Sequence, residues 1–208
     1  ITAREIALAM SSNSPVHICH VSTKGSVDII RAAKKDGVKV TCETAPHYFT
    51  YTDEKLLSRD ADYRMSPPLR TEQDRLAIQG AILDGTIDCI ITDHAPHTAE
   101  EKADFEKAPN GVVGLETSLA MTLTRLYHTG LADLSKIAEI MSINPRKILG
   151  LEPIKIAAGS ELNLAIFDPE YEWEVIPEEL NSKSKNTVFK GERCKGKVLY
   201  TICDGKIV

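Results

Sequence analysis

The sequence predicts an α/β protein: part of a (β/α)8 TIM barrel with about three β-α units, followed by a small β-rich segment. Up to about residue 150, short apolar runs typical of strands alternate with amphipathic stretches typical of helices, which indicates parallel β-α-β units. The apolar run that ends at Thr92 is followed at once by an acid and two histidines, and barrels keep their catalytic groups at such strand ends. Beyond residue 151, short strands separated by turns replace the alternation.

Hydrophobic periodicity and turn residues define the predicted elements. The predicted helices span residues 1–10, 25–35, 71–84 and 114–127. The predicted strands span residues 16–21, 38–43 and 87–92, fewer than the eight strands of a closed barrel. The chain has no initiator methionine and begins within a predicted helix, so we expect it to be a segment of a longer chain.

The last part of the chain is predicted to form a small β structure that packs beside the barrel. Short strands are predicted over residues 156–160, 162–167 and 197–203. The dipeptide Asp204-Gly205 lies between two apolar runs and is typical of a tight hairpin. We therefore expect a partial barrel over residues 1–150 and a β-rich segment of the same composite domain over residues 151–208.

Composition argues against several kinds of partner. Hydrophobic residues make up 42% of the chain and charged residues 26%, as in ordinary globular proteins. The net charge of −5, without a basic stripe, argues against nucleic acid. No apolar run approaches the ~20 residues that span a membrane. The five cysteines show no Cys-x-x-Cys spacing and are expected to be reduced thiols, which favours a cytoplasmic location.

Asp93 is the first candidate for a catalytic residue, because it directly follows the third predicted strand. His20 lies near the end of the first. Because side chains alternate along a strand, Val16, Ile18 and His20 share one face and His17 lies on the other. If the first face is the barrel interior, His20 reaches the rim beside Asp93, where imidazole and carboxylate are suitable zinc ligands. The alternatives are a structural, hydrogen-bonded His20 and an Asp93 that only caps the following turn.

Two further histidines lie after strand ends. His97 belongs to the cluster that follows Asp93, and an imidazole there is suited to an anionic substrate. His47 ends the second strand in the same way, either lining the site or packing beside it, and we favour packing.

Two loops supply the remaining candidates. Consecutive prolines stiffen residues 64–70 and would position Ser66, although a stiff connector explains them equally well. Backbone N–H groups around Asn110 and Gly111 precede a helix start and suit an anion or a carbonyl group.

A set of motifs in a fixed order and spacing is similar to a known family. The motifs cover residues 19–25, 43–47, 65–70, 92–97, 111–117, 144–150, 166–169 and 196–205. With them the chain resembles the C-terminal half of bacterial dihydroorotases of the multifunctional-complex type, in the amidohydrolase superfamily. The Thr-Asp-His-Ala-Pro-His motif that begins at Thr92 and the Gly-Leu-Glu-Thr motif that begins at Gly114 are quite specific for this family.

The resemblance implies a function and a set of site residues. The family interconverts N-carbamoyl-L-aspartate and dihydroorotate in pyrimidine biosynthesis and holds one or two zinc ions at the barrel rim. His20 matches its last histidine ligand, and Asp93 matches an aspartate that contacts metal and acts as general acid and base. His97 matches a residue that binds the substrate carboxylate, and Asn110 with Gly111 matches a backbone contact to the ring. Zinc polarises an amide carbonyl while a neighbouring carboxylate moves the proton.

The chain departs from the family pattern in two respects. Ser66 stands where the family usually has Asn, which changes one substrate contact and is similar to hydantoinases. The other ligands of the family, a His-x-His pair among them, would lie upstream of Ile1, so we expect these residues alone to be inactive. Expected partners are a small-molecule substrate, an N-terminal half or a second copy of the chain, and aspartate transcarbamoylase as one candidate. The alternatives are a hydantoinase or allantoinase relative and a non-catalytic, dihydroorotase-like structural partner.

Overall fold

A computed structural model describes residues 1–208 and contains one parallel and one antiparallel sheet. The helices are α1 (Thr2–Ser12), α2 (Lys24–Lys35), α3 (Pro46–Thr50), α4 (Glu72–Leu83), α5 (Ser118–Thr122), α6 (Leu134–Ala138) and α7 (Asn144–Ile148). The strands are β1 (Val16–Ile18), β2 (Val40–Thr44), β3 (Cys89–Ile90), β4 (Leu164–Glu174), β5 (Arg193–Cys203) and β6 (Lys206–Ile207). Short 3-10 helices span Asp53–Ser58, Ala61–Tyr63 and Pro177–Glu179, and π-helical segments span Leu123–Tyr127 and Glu139–Ile143.

The parallel sheet has the order β1-β2-β3, with α2 and α4 between successive strands. In its register Val16 pairs with Val40, and Glu43 pairs with Cys89. The predicted α/β alternation with parallel strands is confirmed. β1 and β3 are shorter than predicted, because the chain leaves the sheet after Ile18 and after Ile90.

The two faces of this sheet differ in chemistry. The face with Val16, Ile18 and Val40 packs into a hydrophobic core that also contains residues of α1, α2 and α4. His17 and Glu43 lie on the opposite face, because side chains alternate along a strand. The prediction that His20 lies at the rim assumed that the face with Val16 and Ile18 is the barrel interior. That assumption is wrong, because the helices cover this face.

The antiparallel sheet is formed by β4, β5 and β6. The predicted strand over residues 156–160 is wrong, because these residues are exposed and end in a turn where Gly159 has φ +85°. The predicted hairpin is confirmed: β5 pairs with β6, and Asp204 and Gly205 have φ values of 48° and 76°. Two successive positive φ values are what a two-residue hairpin turn requires.

A second hydrophobic cluster joins the two parts of the chain. It contains Tyr48 and Met65 from the first part and Val188, Phe189 and Cys194 from the second. The loops around the parallel sheet and the antiparallel sheet therefore share buried apolar surface, which favours their association in water.

The structure contains helices that the sequence analysis did not predict, chiefly α6 and α7. No helix was predicted between residues 128 and 150, where α6, a π-helical segment and α7 follow one another. None of the helices combines the length and the apolar character that crossing a membrane needs. All five cysteines are free thiols, of which Cys42, Cys89 and Cys194 are buried.

Candidate active site

The candidate site begins where β1 and β3 end. After each strand one residue has a left-handed backbone, His20 with φ 56° and Asp93 with φ 49°. His and Asp are among the residues that adopt this region more often than other non-glycine types. This turn, rather than the strand alternation, directs His20 towards Asp93, whose Oδ1 lies 3.5 Å from His20 Nε2.

The Asp93 carboxylate lies between two imidazoles. Its second oxygen is 3.8 Å from His47 Nε2, and the His47 side chain is 2% exposed. Burial lowers the pKa of His47 to about 3, with His20 contributing, so this ring is neutral. Burial raises the pKa of Asp93, and Glu43 adds to the rise while His20 opposes it. The structure therefore brings His20 and Asp93 together. His47 is buried, as expected of a packing residue, but its Nε2 also faces Asp93, so this ring both packs and lines the cluster.

Glu43 is a member of this cluster to which sequence reasoning assigned no role. Its Oε2 lies 3.2 Å from His17 Nε2, and its Oε1 lies 3.1 Å from His20 Nδ1. The second contact is not aligned as a hydrogen bond, which leaves His20 Nδ1 without a partner. Alternation along β2, with Thr41 and Glu43 on the face of His17, is the signal that could have predicted this position.

The donor set fits a metal ion of the zinc type. His20 Nδ1 and His47 Nε2 are buried nitrogens without hydrogen-bond partners, and they flank the carboxylates of Glu43 and Asp93. Imidazole nitrogen and carboxylate oxygen are common zinc ligands.

Deeper on the same sheet face, one atom each of His17, Glu43 and Cys89 lie within 4.8 Å of one another, a second arrangement with metal-ligand chemistry. Burial raises the pKa of the Cys89 thiol to about 12, with Glu43 contributing. In the metal-free protein this sulfur is therefore protonated, and a thiol is a much poorer metal ligand than a thiolate.

The predicted substrate residues His97, Asn110 and Gly111 lie together on two neighbouring loops. His97 Nε2 is 3.0 Å from the Asn110 carbonyl oxygen, and its Nδ1 is 3.6 Å from Glu101 Oε2. The Gly111 N–H already donates to the Arg64 carbonyl at 2.9 Å. The Gly111 N–H is therefore not available to a ligand, and any backbone contact at this loop must be made by other groups.

Ser66 lies on the exposed loop before α4, beside a cis peptide bond to Pro67. Two contacts fix this loop from either side. The Tyr48 hydroxyl donates to the Pro67 carbonyl at 2.8 Å, and the Gly111 bond to Arg64 links it to the other candidate loop. Ser66 is therefore presented on a braced backbone, as its neighbouring prolines predict.

Fold and site together are those of a hydrolase class built on parallel β-α-β units with histidine and aspartate at the strand ends. A family model described as "Amidohydrolase family" matches residues 6–208, so the chain belongs to the amidohydrolase family. Members of this family are generally metal-dependent, in agreement with the donor set described above.

Curated relatives of the chain are dihydroorotases. The dihydroorotase of Geobacter metallireducens is 50% identical over 208 residues, 100% of this chain and 49% of the relative. That of Geobacter sp. strain M21 is 49% identical over 207 residues, 99% of this chain and 48% of the relative. The chain spans about half the length of the curated relatives it matches.

Solved structures of similar fold include hydantoinases and a dihydropyrimidinase. L-hydantoinase (dihydropyrimidinase) from Arthrobacter aurescens matches with a TM-score of 0.93 and 30% identity over all of this chain and 47% of that one. Dihydropyrimidinase from Brevibacillus agri matches with a TM-score of 0.93 and 28% identity, again over 47% of its length. The chain is thus about 50% identical to these dihydroorotases and about 30% identical to this hydantoinase and this dihydropyrimidinase.

Proposed function

We propose that the protein to which these residues belong is a dihydroorotase, a metal-dependent cyclic amidohydrolase that interconverts N-carbamoyl-L-aspartate and dihydroorotate. The observation that carries the proposal is the Asp93 carboxylate at the end of β3, flanked by His20 and His47 in a chain that is about 50% identical to dihydroorotases. Strand-end acids of this kind are where barrel enzymes do their chemistry.

Asp93 is the proton-transfer residue of this proposal. In ring opening its carboxylate takes a proton from the attacking water and passes it to the amide nitrogen as the carbon–nitrogen bond breaks; ring closure reverses these transfers. The geometry suits this role, because one carboxylate oxygen lies 3.5 Å from His20 Nε2 and the other lies 3.8 Å from His47 Nε2 at the end of β3. His47, neutral and buried, restricts the carboxylate on its other side.

His20 and Asp93 are the residues that would hold the metal, for which we propose zinc. When bound, zinc lowers the pKa of water and polarises the amide carbonyl. Catalytic zinc sites generally use three protein ligands. His47 Nε2, buried and without a partner beside Asp93, is available as a third donor. Because the chain spans about half the length of its dihydroorotase relatives, we propose that it provides part of a ligand set and that further ligands come from outside these residues, either an N-terminal half or a second copy.

Substrate binding is assigned to His97, Asn110, Gly111 and Ser66. Dihydroorotate carries a carboxylate and a cyclic amide. Its binding site therefore needs a cation or an N–H donor for the carboxylate, and acceptor groups for the ring N–H. His97 suits the carboxylate, and the loop at Asn110 suits the ring. We further propose that the chain is the C-terminal half of the enzyme and that residues 1–150 and 151–208 form one composite domain, which their shared hydrophobic cluster supports.

The test is a substrate comparison on the native gene product that contains these residues. The purified protein is assayed with dihydroorotate, N-carbamoyl-L-aspartate, hydantoins and allantoin, beside Asp93→Asn and the exposed control Asp28→Asn. Turnover of dihydroorotate that is lost only in Asp93→Asn supports the proposal.

A hydantoinase is the second candidate, favoured by Ser66 and by the structural similarity to L-hydantoinase. Turnover of hydantoins without dihydroorotate would select it. A folded, metal-loaded protein that turns over none of the four substrates would instead favour a non-catalytic partner. Co-elution with aspartate transcarbamoylase in size-exclusion chromatography would then be the next measurement.

A further inference from the structure

The two loops that follow β3 and carry the proposed substrate residues lie directly against each other. The Ala95 N–H donates to the Val112 carbonyl at 2.8 Å, and His97 Nε2 lies 3.0 Å from the Asn110 carbonyl oxygen. A Cβ atom on Gly111 would come within 2.5 Å of Ala95 Cβ, a distance that real side chains do not tolerate. The position of His97 relative to Asn110 and Gly111 therefore depends on how tightly these loops are held together.

Asn186 joins both loops from the segment that precedes β5. Its Oδ1 accepts from the His97 N–H at 3.2 Å, and its Nδ2 donates to the Gly111 carbonyl at 3.1 Å. Its own carbonyl accepts from the Val113 N–H at 2.9 Å. Asn186 is 7% exposed, so water cannot readily replace these bonds, and each group left unpaired would be costly.

The chemistry of the contacts fixes the orientation of this amide. The His97 N–H needs an acceptor and the Gly111 carbonyl needs a donor, so a flipped amide would oppose both. Ser184 supports the same end: its Oγ lies 3.2 Å from the His97 nitrogen and also contacts Asn186 Oδ1. Asp at this position would lack the donor, and Leu would lack both groups.

We propose that Asn186 is a positioning residue for substrate binding, which fixes the His97 loop against the Asn110 and Gly111 loop. The inference rests on the proposed function, which assigns substrate contacts to those residues. The side-chain amide of Asn186 is bonded to both loops, so its effect is exerted through them.

The first test compares Asn186→Ala with Asn181→Ala in the native gene product. Asn181 lies in the same segment but is exposed and bonds to Glu116. We expect Asn186→Ala to raise KM for dihydroorotate about tenfold, as loss of a buried hydrogen bond can, with kcat within about threefold and bound metal unchanged. Asn181→Ala should leave both constants unchanged. An unchanged KM in Asn186→Ala, with only a lower unfolding midpoint, would overturn the inference.

The second test needs no substrate and uses hydrogen exchange measured by mass spectrometry. In Asn186→Ala, peptides covering residues 93–98 and 110–114 should exchange faster, while peptides from α4 keep the wild-type rate. Asn186→Asp keeps the acceptor for His97 but loses the donor to Gly111. In this variant the exchange rate should therefore rise more over residues 110–114 than over residues 93–98. If Asn186→Ala does not fold, Ser184→Ala should show the same increase over residues 93–98 to a smaller extent.

The two readouts separate the possible failures. Faster exchange in both loops of a protein that does not turn over dihydroorotate places the failure in the proposed function and leaves the loop coupling supported. Unchanged exchange in both loops of folded variants contradicts the inference, whatever the activity is.

Discussion

The ends of β1 and β3 differ from the end of β2, although a histidine or an acid follows each of the three strands. After β1 and β3 a left-handed residue turns the chain, His20 with φ 56° and Asp93 with φ 49°, and their side chains meet. After β2, Ala45 stays extended with φ −122° and Pro46 starts α3, which carries His47 into the core. Strand ends that look alike in sequence therefore place their polar residues in two different environments.

The different strand ends indicate different roles for the residues that follow them, a role in the reaction after β1 and β3 and a stabilising role after β2. A left-handed backbone costs a non-glycine residue about 1–2 kcal/mol, and outside tight turns and helix ends such conformations cluster at functional sites. The end of β2 has no such residue, and Pro46 fits the first helical position without strain. We infer that His20 and Asp93 form the reactive part of the site and that His47 and Tyr48 stabilise it.

Asp93→Asn should have the largest effect. The variant keeps the size of the side chain but cannot accept and return a proton, so kcat for dihydroorotate should fall by roughly 10² or more in the native gene product. Circular dichroism and the unfolding midpoint should match the wild type. A folded, metal-loaded variant with a near-normal rate would show that the end of β3 is not where the proton is moved.

Replacing the two histidines should separate the two environments. His47→Ala removes a side chain that is 2% exposed, so the free energy of unfolding should fall by about 2 kcal/mol through lost contacts and a cavity. His20→Ala removes a side chain that is 33% exposed, so it should lower the free energy of unfolding much less than His47→Ala does. It should, however, lower the amount of zinc bound per protein. Urea titration and elemental analysis, both on the native gene product, measure the two effects. The reverse pattern, with zinc lost in His47→Ala alone, would exchange the two roles.

Tyr48→Phe tests the supporting role on a smaller scale. The variant leaves the Pro67 carbonyl without its hydroxyl donor, which should lower the free energy of unfolding by about 1 kcal/mol. Tyr127→Phe is the matched control, since the Tyr127 hydroxyl makes no hydrogen bond within the protein. Equal effects of the two variants in urea titration would mean that the Pro67 contact contributes nothing.

Local pattern predicted most of the parallel sheet, because β-branched runs and amphipathic stretches alternate clearly up to α4. It failed where the apolar period is irregular: α6 and α7 are each five residues long and separated by a π-helical segment. It also failed at residues 156–160, where apolar residues lie on an exposed loop rather than in a strand. The conformation of such segments depends on tertiary packing, and the hydrophobic pattern of a single segment carries no information about that packing.

For the candidate site, residue types at strand ends predicted His20 and Asp93, but the reason given for their meeting was wrong. A positive φ at His20 reverses the direction that alternation predicts, and no motif specifies that angle. Glu43 and Asn186 were missed for a different cause. Glu43 acts from a neighbouring strand, and Asn186 is separated by 89 positions from His97, so only the folded chain brings them to the site.

Ser66→Asn should have the smallest effect and sharpens the question of substrate. The loop of Ser66 is braced by Tyr48 and by Gly111, so an added amide should not alter the backbone. If the pocket takes dihydroorotate, Asn offers additional donors and an acceptor, and KM should stay unchanged or fall. Ser14→Asn, on an exposed turn after α1, is the control for the substitution itself. A marked rise in KM for dihydroorotate, with binding measured directly by calorimetry, would mean that the end of β2 supports a pocket shaped for another cyclic amide.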